Sequence, residues 1–314
     1  MRIFGTIFAL FNNFGGGYVE SLQEIVEKAR QSKPKVMAVV KAEDDDVLKA
    51  VKTSQELGLV KSVLIGDKKK IESIMDTLGM EKTNIEIIDE QDTSQAVGIA
   101  VELAKKGEVQ VLMKGLLQTK DFLKGIVSGD KSLTGGRLLS HVAVFQVPHM
   151  KKLVLVTDAA MNISPDLSQK YQIMKNSLSV ARSLQIKNPR VAILSAVEVV
   201  NPSIPSTMDA AIISKMAQRE RLEAVVDGPL ALDNAVSKEA CIHKGIDSAV
   251  GGEADILLVP DLISGNILYK SLVYFARAKV AGIVAGAEVP VVLTSRADSD
   301  ESKTYSIALS VLMG

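Results

Sequence analysis

The sequence predicts an α/β protein with a mainly parallel sheet. Short runs of aliphatic and β-branched residues recur along the chain, and stretches with helical periodicity separate most of them. The runs lack the polar alternation of a sheet with one face in water, so helices are expected to cover both faces of the strands. At 314 residues the chain is longer than one compact core usually is, which predicts two lobes.

The expected strands are apolar runs, and the expected helices lie between most of them. The strands cover residues 36–40, 62–65, 85–88, 109–113, 142–147, 153–156, 191–194, 256–259 and 289–293. The helices cover residues 93–106, 166–186, 206–220 and 301–312, with a further helix around 47–57. Ser21 and Glu24 have the spacing of a capping box, which predicts that a helix begins there. The irregular connection 114–136 is expected to carry functional residues, because long connections in α/β proteins usually do.

The composition excludes two classes of partner. Lys+Arg and Asp+Glu both number 37, so the chain has no general basic field for nucleic acid or an anionic membrane. The single cysteine, Cys241, excludes an intrachain disulfide and does not indicate an oxidising compartment. The apolar run at 3–11 is too short to cross a bilayer, and residues 1–19 are interpreted as an extension of unknown role. These features favour a soluble, cytoplasmic protein that binds small molecules.

Motifs of several common sites are absent from the sequence. No Gly-x-Gly-x-x-Gly follows the first strand, residues 128–132 have the wrong spacing for a P-loop, and no Gly-x-Ser-x-Gly occurs. His141, His149 and His243 do not fall into a zinc-ligand spacing, and each is interpreted as structural or solvent-facing. Cys241 is interpreted as a small buried apolar residue.

The most distinctive sequence motifs lie in the C-terminal third of the chain. Residues 260–270 read Pro-Asp-Leu-Ile-Ser-Gly-Asn-Ile-Leu-Tyr-Lys, and Thr-Ser-Arg follows at 294–296. Together with Thr157-Asp158 and the Val-Asp-Gly-Pro-Leu block at 226–230, these motifs resemble the phosphate acetyl/butyryltransferase family. The resemblance runs in order from about residue 36 to the C-terminus, and the segment 139–145 is more similar to the butyryl branch than to the acetyl branch.

This resemblance implies a two-lobed αβα architecture like that of isocitrate and isopropylmalate dehydrogenases, with the active site in the cleft between the lobes. Lobe I would comprise residues 1–138 and 285–314, and lobe II residues 139–284. The implied activity is reversible transfer of a short acyl group, butyryl favoured, from acyl-CoA to inorganic phosphate. Coenzyme A is then a substrate, no prosthetic group or catalytic metal is expected, and a homodimer or larger homo-oligomer is expected.

Arg296 is the first candidate for catalysis. Its planar guanidinium matches phosphate oxygens, and it follows the apolar run 289–293, so it lies at the carboxyl end of an expected strand. Ser295 beside it can hydrogen-bond the sulfur of coenzyme A. A thiol with a pKa of about 8.5 is already about 3% ionised at neutral pH, so a base gains at most about 30-fold in rate. Arg296 is therefore expected to matter more than any base.

The identity of that base stays open. The acetyl branch of the family has an Asp seven residues after the Ser of the Ser-Arg pair, whereas this chain has Ser302 there. Asp300, Glu301 and solvent are the alternatives, and Asp300 is included among the catalytic candidates.

The remaining candidates are expected to bind substrate. Lys114, with Thr119 as a weaker contact, and Arg137 at the expected hinge are predicted to contact phosphate. Asn266 is predicted to cap a helix or to hold substrate, with Lys270 in the same cleft wall. Asp158 is predicted to orient a cleft residue.

Three alternatives compete with the favoured activity. A phosphate acetyltransferase would differ only in the acyl group. A metal- and NAD(P)-dependent dehydrogenase of the same fold would need a cluster of carboxylates, for which Asp227, Asp233, Asp255 and Asp261 are available. A non-catalytic acyl-CoA-binding protein is the third.

Overall fold

A computed structural model describes residues 18–128, 132–293 and 298–314 and shows the predicted α/β class. Within these ranges, eleven strands form one sheet in the order β3-β2-β1-β4-β11-β10-β5-β6-β9-β7-β8. The strands are β1 (Lys35–Val40), β2 (Val60–Gly66), β3 (Ile85–Asp89), β4 (Val111–Lys114), β5 (Ser140–Gln146), β6 (Val154–Thr157), β7 (Arg190–Leu194), β8 (Val225–Leu230), β9 (Ile256–Leu258), β10 (Lys279–Ala285) and β11 (Val291–Val292).

Ser or Asp side chains cap most of the described helices that cover this sheet. They are α1 (Leu22–Gln31), α2 (Asp45–Glu56), α3 (Lys68–Leu78), α4 (Thr93–Lys105), α5 (Thr119–Val127), α6 (Leu167–Ser183), α7 (Pro205–Glu220), α8 (Leu232–Val236), α9 (Lys238–Lys244), α10 (Leu262–Tyr274) and α11 (Asp300–Met313). Only half of the predicted capping box forms at α1. The Ser21 hydroxyl accepts from the Glu24 amide at 3.2 Å, but the Glu24 carboxylate accepts from the amide of Glu20, one residue before the cap.

The sheet contains two parallel groups that run in opposite directions. β1 to β4 and β11 are parallel to one another, as are β6, β9, β7 and β8. Between the groups, β10 is antiparallel to both β11 and β5, and β5 is antiparallel to β6. The sequence predicted a mainly parallel arrangement but neither this antiparallel centre nor the strands β8 and β10. The proposed lobe bounds at residues 138/139 and 284/285 stay a prediction.

The core is continuous on one face of the sheet and divided on the other. On the first face one cluster joins both parallel groups through side chains of α1, α2, α6 and α11. On the second face, one cluster packs β1, β2 and β4 against α4 and α5, and a separate cluster packs β5, β6 and β7 against α10. Leu139 and Val284 belong to the former, whereas Ala143 and Val280 belong to the latter.

The division leaves a polar strip on this second face. Along β5 and β10 the residues between the two apolar clusters are His141 and Gly282. Asp158, at the end of β6, continues the row because Val142 pairs with Thr157 in the antiparallel ladder. We call the surface over His141, Gly282, Asp158 and Tyr269 the polar gap.

Candidate active site

The alternation of side chains along β5 brings His141 into the polar gap. The Ser140 hydroxyl accepts from the Asn176 amide on α6 at 2.8 Å, so Ser140 faces the continuous core. His141 faces the opposite side, where its ring centroid lies 6.2 Å from that of Tyr269. A Cβ built on Gly282 would lie 3.0 Å from the Nε2 atom of His141, so glycine at this position makes room for the imidazole.

Burial controls the charge of His141. The residue is 7% exposed, and its Nδ1 atom has no hydrogen-bond partner among the described residues. Burial lowers the pKa of His141, and the carboxylates of Asp158 and Asp298 oppose this effect without overcoming it. The imidazole is therefore neutral at pH 7.

Hydrogen bonds to the Asp158 carboxylate hold the loop that follows β6 in place. Its Oδ1 atom accepts from the backbone amides of Ala160 at 2.9 Å and Met161 at 3.0 Å. Its Oδ2 atom accepts from the Asn162 side-chain amide at 2.6 Å, and the same amide donates to the Leu139 carbonyl at 3.0 Å. The buried carboxylate thus holds the loop against the start of β5. The predicted role of Asp158 in orienting a cleft residue stays a prediction that these contacts support.

Helix α10 forms the wall of the polar gap on the side of the second parallel group. Its cap is Asp261, whose carboxylate accepts from the Ser264 amide at 2.8 Å. The prediction that Asn266 caps a helix is therefore wrong, because α10 begins four residues earlier and Asn266 lies within it. The Asn266 side chain instead donates to the Ala159 carbonyl at 3.3 Å.

The two faces of α10 carry different side chains of the predicted motif. Tyr269 points inward, where its ring meets that of Phe145 edge-on at 5.2 Å. Burial and the nearby Asp298 raise the pKa of Tyr269, so its hydroxyl stays protonated at neutral pH. Lys270 is exposed on the outer face, with its Nζ atom 6.0 Å from the ring centroid of Tyr274.

The other predicted phosphate contacts lie on the side of the first parallel group. Lys114 is the last residue of β4, and its ammonium donates to the carbonyls of Gly115 and Leu117 at 3.0 and 3.2 Å. Thr119 is the exposed first residue of α5. Arg137 is also exposed, and its Nε donates to the Thr134 carbonyl at 3.0 Å. Their roles in binding phosphate stay predictions.

The acidic residues before and within α11 differ in what they face. The Asp300 side chain is 73% exposed and lies 3.6 Å from the Lys303 ammonium. The Glu301 carboxylate accepts from Lys279 and from the Tyr305 hydroxyl, and these bonds lower the pKa of Glu301. Asp298, by contrast, lies close enough to Tyr269 to contribute to its raised pKa, and close enough to His141 to oppose in part the lowering of the His141 pKa by burial. Sequence reasoning favoured Asp300, whereas Asp298 is the acid that lies beside the polar gap.

Ser295 and Arg296 lie outside the described residues. Of the described residues that flank them, Asp298 lies beside the polar gap. Leu293 packs against the cluster of α4 and α5, and Asp298 lies near His141.

The carboxylates considered for a metal have separate partners. Asp227 accepts from Ser248, Asp233 pairs with Lys244 and Asp255 with Lys152, while Asp261 caps α10. Within the described ranges, no group of three or more His, Cys, Asp or Glu side chains is arranged to hold a metal ion. Cys241 is buried and donates to the Asn234 carbonyl at 3.0 Å, and burial raises the pKa of its thiol. Both facts fit the interpretation of Cys241 as a packing residue.

Two surface concavities of ≈ 500 and ≈ 630 Å³ lie away from the polar gap. Lys35 and Lys61 line the first and Pro189 lines the second, next to the starts of β1, β2 and β7. Parallel sheets bind ligands beyond the carboxyl ends of their strands, so neither concavity is the favoured site. In the part of the chain that the structure describes, no helix has the length and apolar character needed to cross a bilayer.

Comparison with known proteins decides the family. Residues 21–98 and 90–311 match the model of the family described as phosphate acetyl/butaryl transferase. The chain belongs to this family. A phosphate butyryltransferase of Clostridium acetobutylicum is 44% identical over 94% of this chain and 98% of its own length. A phosphate acetyltransferase of Thermotoga maritima is also 44% identical, over 93% of this chain and 99% of its own length.

A solved structure supports the same fold. The branched-chain phosphotransacylase from Enterococcus faecalis V583 superposes with a TM-score of 0.80 at 34% identity, covering 89% of this chain and 98% of its own. The resemblance predicted from the sequence motifs is thus confirmed, and the protein is a transferase.

Sequence reasoning placed neither His141 in the polar gap nor Asp298 beside it. The interpretation of His141 as structural or solvent-facing and the choice of Asp300 as a candidate base stay predictions, whereas the structure places His141 in the polar gap and Asp298 next to it. The alternation along β5 was the available signal for His141, because Ala143 and Phe145 share its face and belong to a core cluster. Nothing in the local sequence distinguishes Asp298 from Asp300.

Proposed function

We propose that the protein transfers a short acyl group between coenzyme A and inorganic phosphate. Family membership over nearly the whole chain carries this proposal. The divided core supports it, since a polar gap between two apolar clusters is where a substrate with an apolar chain and a charged end fits.

The reaction exchanges one bond at the acyl carbon. In the direction of acyl phosphate formation, a phosphate oxygen bonds to the thioester carbon and the carbon–sulfur bond breaks. The electron pair leaves with the sulfur, which takes up the proton that the hydrogen phosphate ion releases. The carbonyl oxygen carries negative charge in between, and the phosphate brings its own charge, so the site needs a donor for the first and cations for the second.

Arg296 supplies the cation and Ser295 a hydrogen bond to the sulfur. Arg296 is two residues before Asp298 in the sequence, and Asp298 lies beside the polar gap. Lys114, Thr119 and Arg137 extend the phosphate site from the first parallel group. From the other side, Asn266 and Lys270 belong to the substrate wall and Asp158 positions the loop beneath it. The two groups act as lobes that close over the substrate.

Butyryl is the favoured acyl group, although the relatives named for butyryl and for acetyl transfer reach the same 44% identity. One methylene changes selectivity by only about 1–3 kcal/mol in an apolar pocket, so related chain lengths are expected to react as well. Coenzyme A is a substrate rather than a bound cofactor, and the protein works in the cytoplasm.

A homo-oligomer is proposed from the outer face of α10. Ile263, Ile267 and Tyr274 recur there at helical spacing and are 70%, 62% and 58% exposed, followed by Phe275 at 89%. We call these four residues the outer stripe of α10. Apolar stripes of this kind are unusual on a free surface, and a second copy of the chain is the occupant we propose.

A thiol-release assay tests the function. Butyryl-CoA and phosphate are mixed with the protein, and free coenzyme A is detected with a chromogenic disulfide. Release is expected only when phosphate is present, and acetyl-CoA and isobutyryl-CoA define the acyl preference. Release without phosphate would make the protein a thioesterase. Reduction of NAD(P) with a hydroxy acid and a divalent metal would support the dehydrogenase alternative instead.

A further inference from the structure

His141 occupies an unusual position for a buried polar side chain. It lies where the two apolar clusters of the second face stop, and its Nδ1 atom is buried without a partner among the described residues. Most buried polar atoms have a hydrogen-bond partner, so an exception of this kind needs an explanation. The favoured activity, as set out above, does not use this side chain.

The surroundings determine which ring nitrogen carries the proton. A neutral imidazole has one donor nitrogen and one acceptor nitrogen. An unpaired buried N–H group is rarer than an unpaired acceptor, which assigns the proton to Nε2. That atom lies over Gly282, which is partly exposed although it stands in the middle of a strand. The N–H group is therefore available to a molecule that enters the polar gap.

We propose that the Nε2–H group of His141 donates a hydrogen bond to the carbonyl oxygen of the acyl group during transfer. This inference rests on the proposed function and adds a catalytic residue to it. The imidazole keeps its proton throughout, so the balance of the acyl exchange is unchanged. Its contribution is to stabilise the charge that collects on the carbonyl oxygen.

The charges that face His141 select the carbonyl rather than the phosphate. The titratable groups near the imidazole are the carboxylates of Asp158 and Asp298 and the phenol of Tyr269. Two carboxylates repel a phosphate dianion more strongly than a carbonyl oxygen, which is neutral in the ground state and carries only partial charge in the transition state. A neutral donor also suits an oxygen whose charge develops only in the transition state.

Replacement of His141 by Ala, Gln and Asn tests the proposal. The amide nitrogen of Gln reaches the place of Nε2, and that of Asn reaches the place of Nδ1. His141→Ala is expected to lower kcat about 100-fold and to leave the KM for phosphate nearly unchanged, as loss of an oxyanion donor does. His141→Gln should recover most of that loss and His141→Asn should not. His149→Ala, on an exposed turn, is the matched control and should behave as wild type.

The outcomes separate this inference from the proposed function. If wild type shows phosphate-dependent release but His141→Ala keeps its kcat, the donor role is wrong and the function stands. Equal activity of the Gln and Asn variants, or a raised KM for phosphate at unchanged kcat, would also overturn the donor role. If wild type shows no phosphate-dependent release, both fail. Thermal unfolding of each variant shows whether a loss of activity comes from misfolding. If the Ala variant is misfolded, the Gln variant is compared with wild type in its place.

Discussion

His141 links the stability of the native state to pH at the scale of one residue. Its pKa is lowered by burial, so between that value and about 6.5 the unfolded chain binds a proton that the native state does not. Native stability therefore rises with pH in this window and falls as the pH drops below about 6.5, by at most about 1.4 kcal/mol per pH unit. Asp158 and Asp298, which face the ring, reduce the effect.

We expect His141→Gln to remove this acid-side loss. The measurement is urea unfolding of wild type and variant at pH 7.5 and 5.5, because Gln does not titrate. The free energy of unfolding should fall more for wild type than for the variant, and His149→Gln should fall like wild type. If the free energy of unfolding falls equally for wild type and His141→Gln, the ring takes up its proton in the native state as readily as in the unfolded chain, and its pKa is not lowered.

Arg296 and Asp300 give a second comparison between single residues. Arg296→Ala is expected to lower kcat/KM by about 100- to 1000-fold, because it removes the cation that balances phosphate. Asp300→Ala is expected to lower kcat/KM by less than about 30-fold. Its exposed carboxylate lies beside Lys303, and a base can add little to the rate because part of the thiol is already ionised. Arg296→Lys should fall between wild type and Ala, because ammonium keeps the charge but loses the fork. Equal losses for Arg296→Ala and Asp300→Ala in the release assay would contradict this ranking.

At the scale of elements, the fit of α10 against the loop after β6 depends on one glycine. A Cβ at Gly265 would lie 2.6 Å from the Asp158 carbonyl oxygen and 2.8 Å from Cγ2 of Val259. Backbone atoms cannot give way as a flexible side chain can, so Gly265→Ala has to move the helix. We expect it to destabilise the protein by about 1–3 kcal/mol and to lower kcat, because Tyr269 moves with the helix.

Gly98→Ala is the control for that substitution. Gly98 is an exposed position inside α4, and a Cβ there would meet nothing within 4 Å. The change should stabilise the protein by about 0.5–1 kcal/mol through helix propensity alone. Chemical denaturation measures both variants, and a Gly265→Ala protein as stable as Gly98→Ala would mean that α10 does not pack as described.

Strands and helices could be predicted where a single pattern of apolar residues extends over the whole element. Uniformly apolar runs such as 36–40 and 191–194 became β1 and β7, and the helical periods at 93–106 and 301–312 became α4 and α11. β8 and β10 were missed because Gly228-Pro229 and Gly282 interrupt their apolar runs.

The site could be predicted only in part, for a related reason. Sequence motifs identified the family and the Ser-Arg pair. The neighbours of His141, however, come from β5, α10 and the segment before α11, which only the fold brings together. Asp261 rather than Asn266 caps α10. The sequence could not decide between them, because Asp and Asn are about equally favourable capping residues and these two lie only five positions apart.

At the scale of the whole molecule, the antiparallel centre explains why a single sheet carries two apolar clusters on one face. β11 inserts between β4 and β10, so the C-terminal part of the chain completes the first parallel group while α11 packs on the continuous core. The continuous face holds the two parallel groups together, while the apolar packing on the other face is divided between two clusters. The catalysis that we propose at the divided face is thus compatible with a stable fold.

The outer stripe of α10 yields the last prediction, since it lies on the helix whose inner face carries Tyr269. A stable protein interface covers about 800 Å² per partner, and three large apolar side chains on α10 together with Phe275 directly after it provide the centre of such a patch. If a second copy covers this stripe, the outer face of α10 is held by the partner while the inner face binds substrate. Dissociation should then loosen α10 and raise the KM for acyl-CoA.

Ile267→Lys is expected to convert an oligomer into a monomer, because the stripe then carries a buried charge without a partner. Light scattering after gel filtration measures the mass, and the release assay measures the KM of the same sample. Ile242→Lys is the control, since Ile242 is an isoleucine that is 77% exposed on α9 and outside the stripe. A monomeric wild type, or an Ile267→Lys variant that keeps its mass, would mean that the stripe faces water and that α10 holds its inner side chains without help from a second copy.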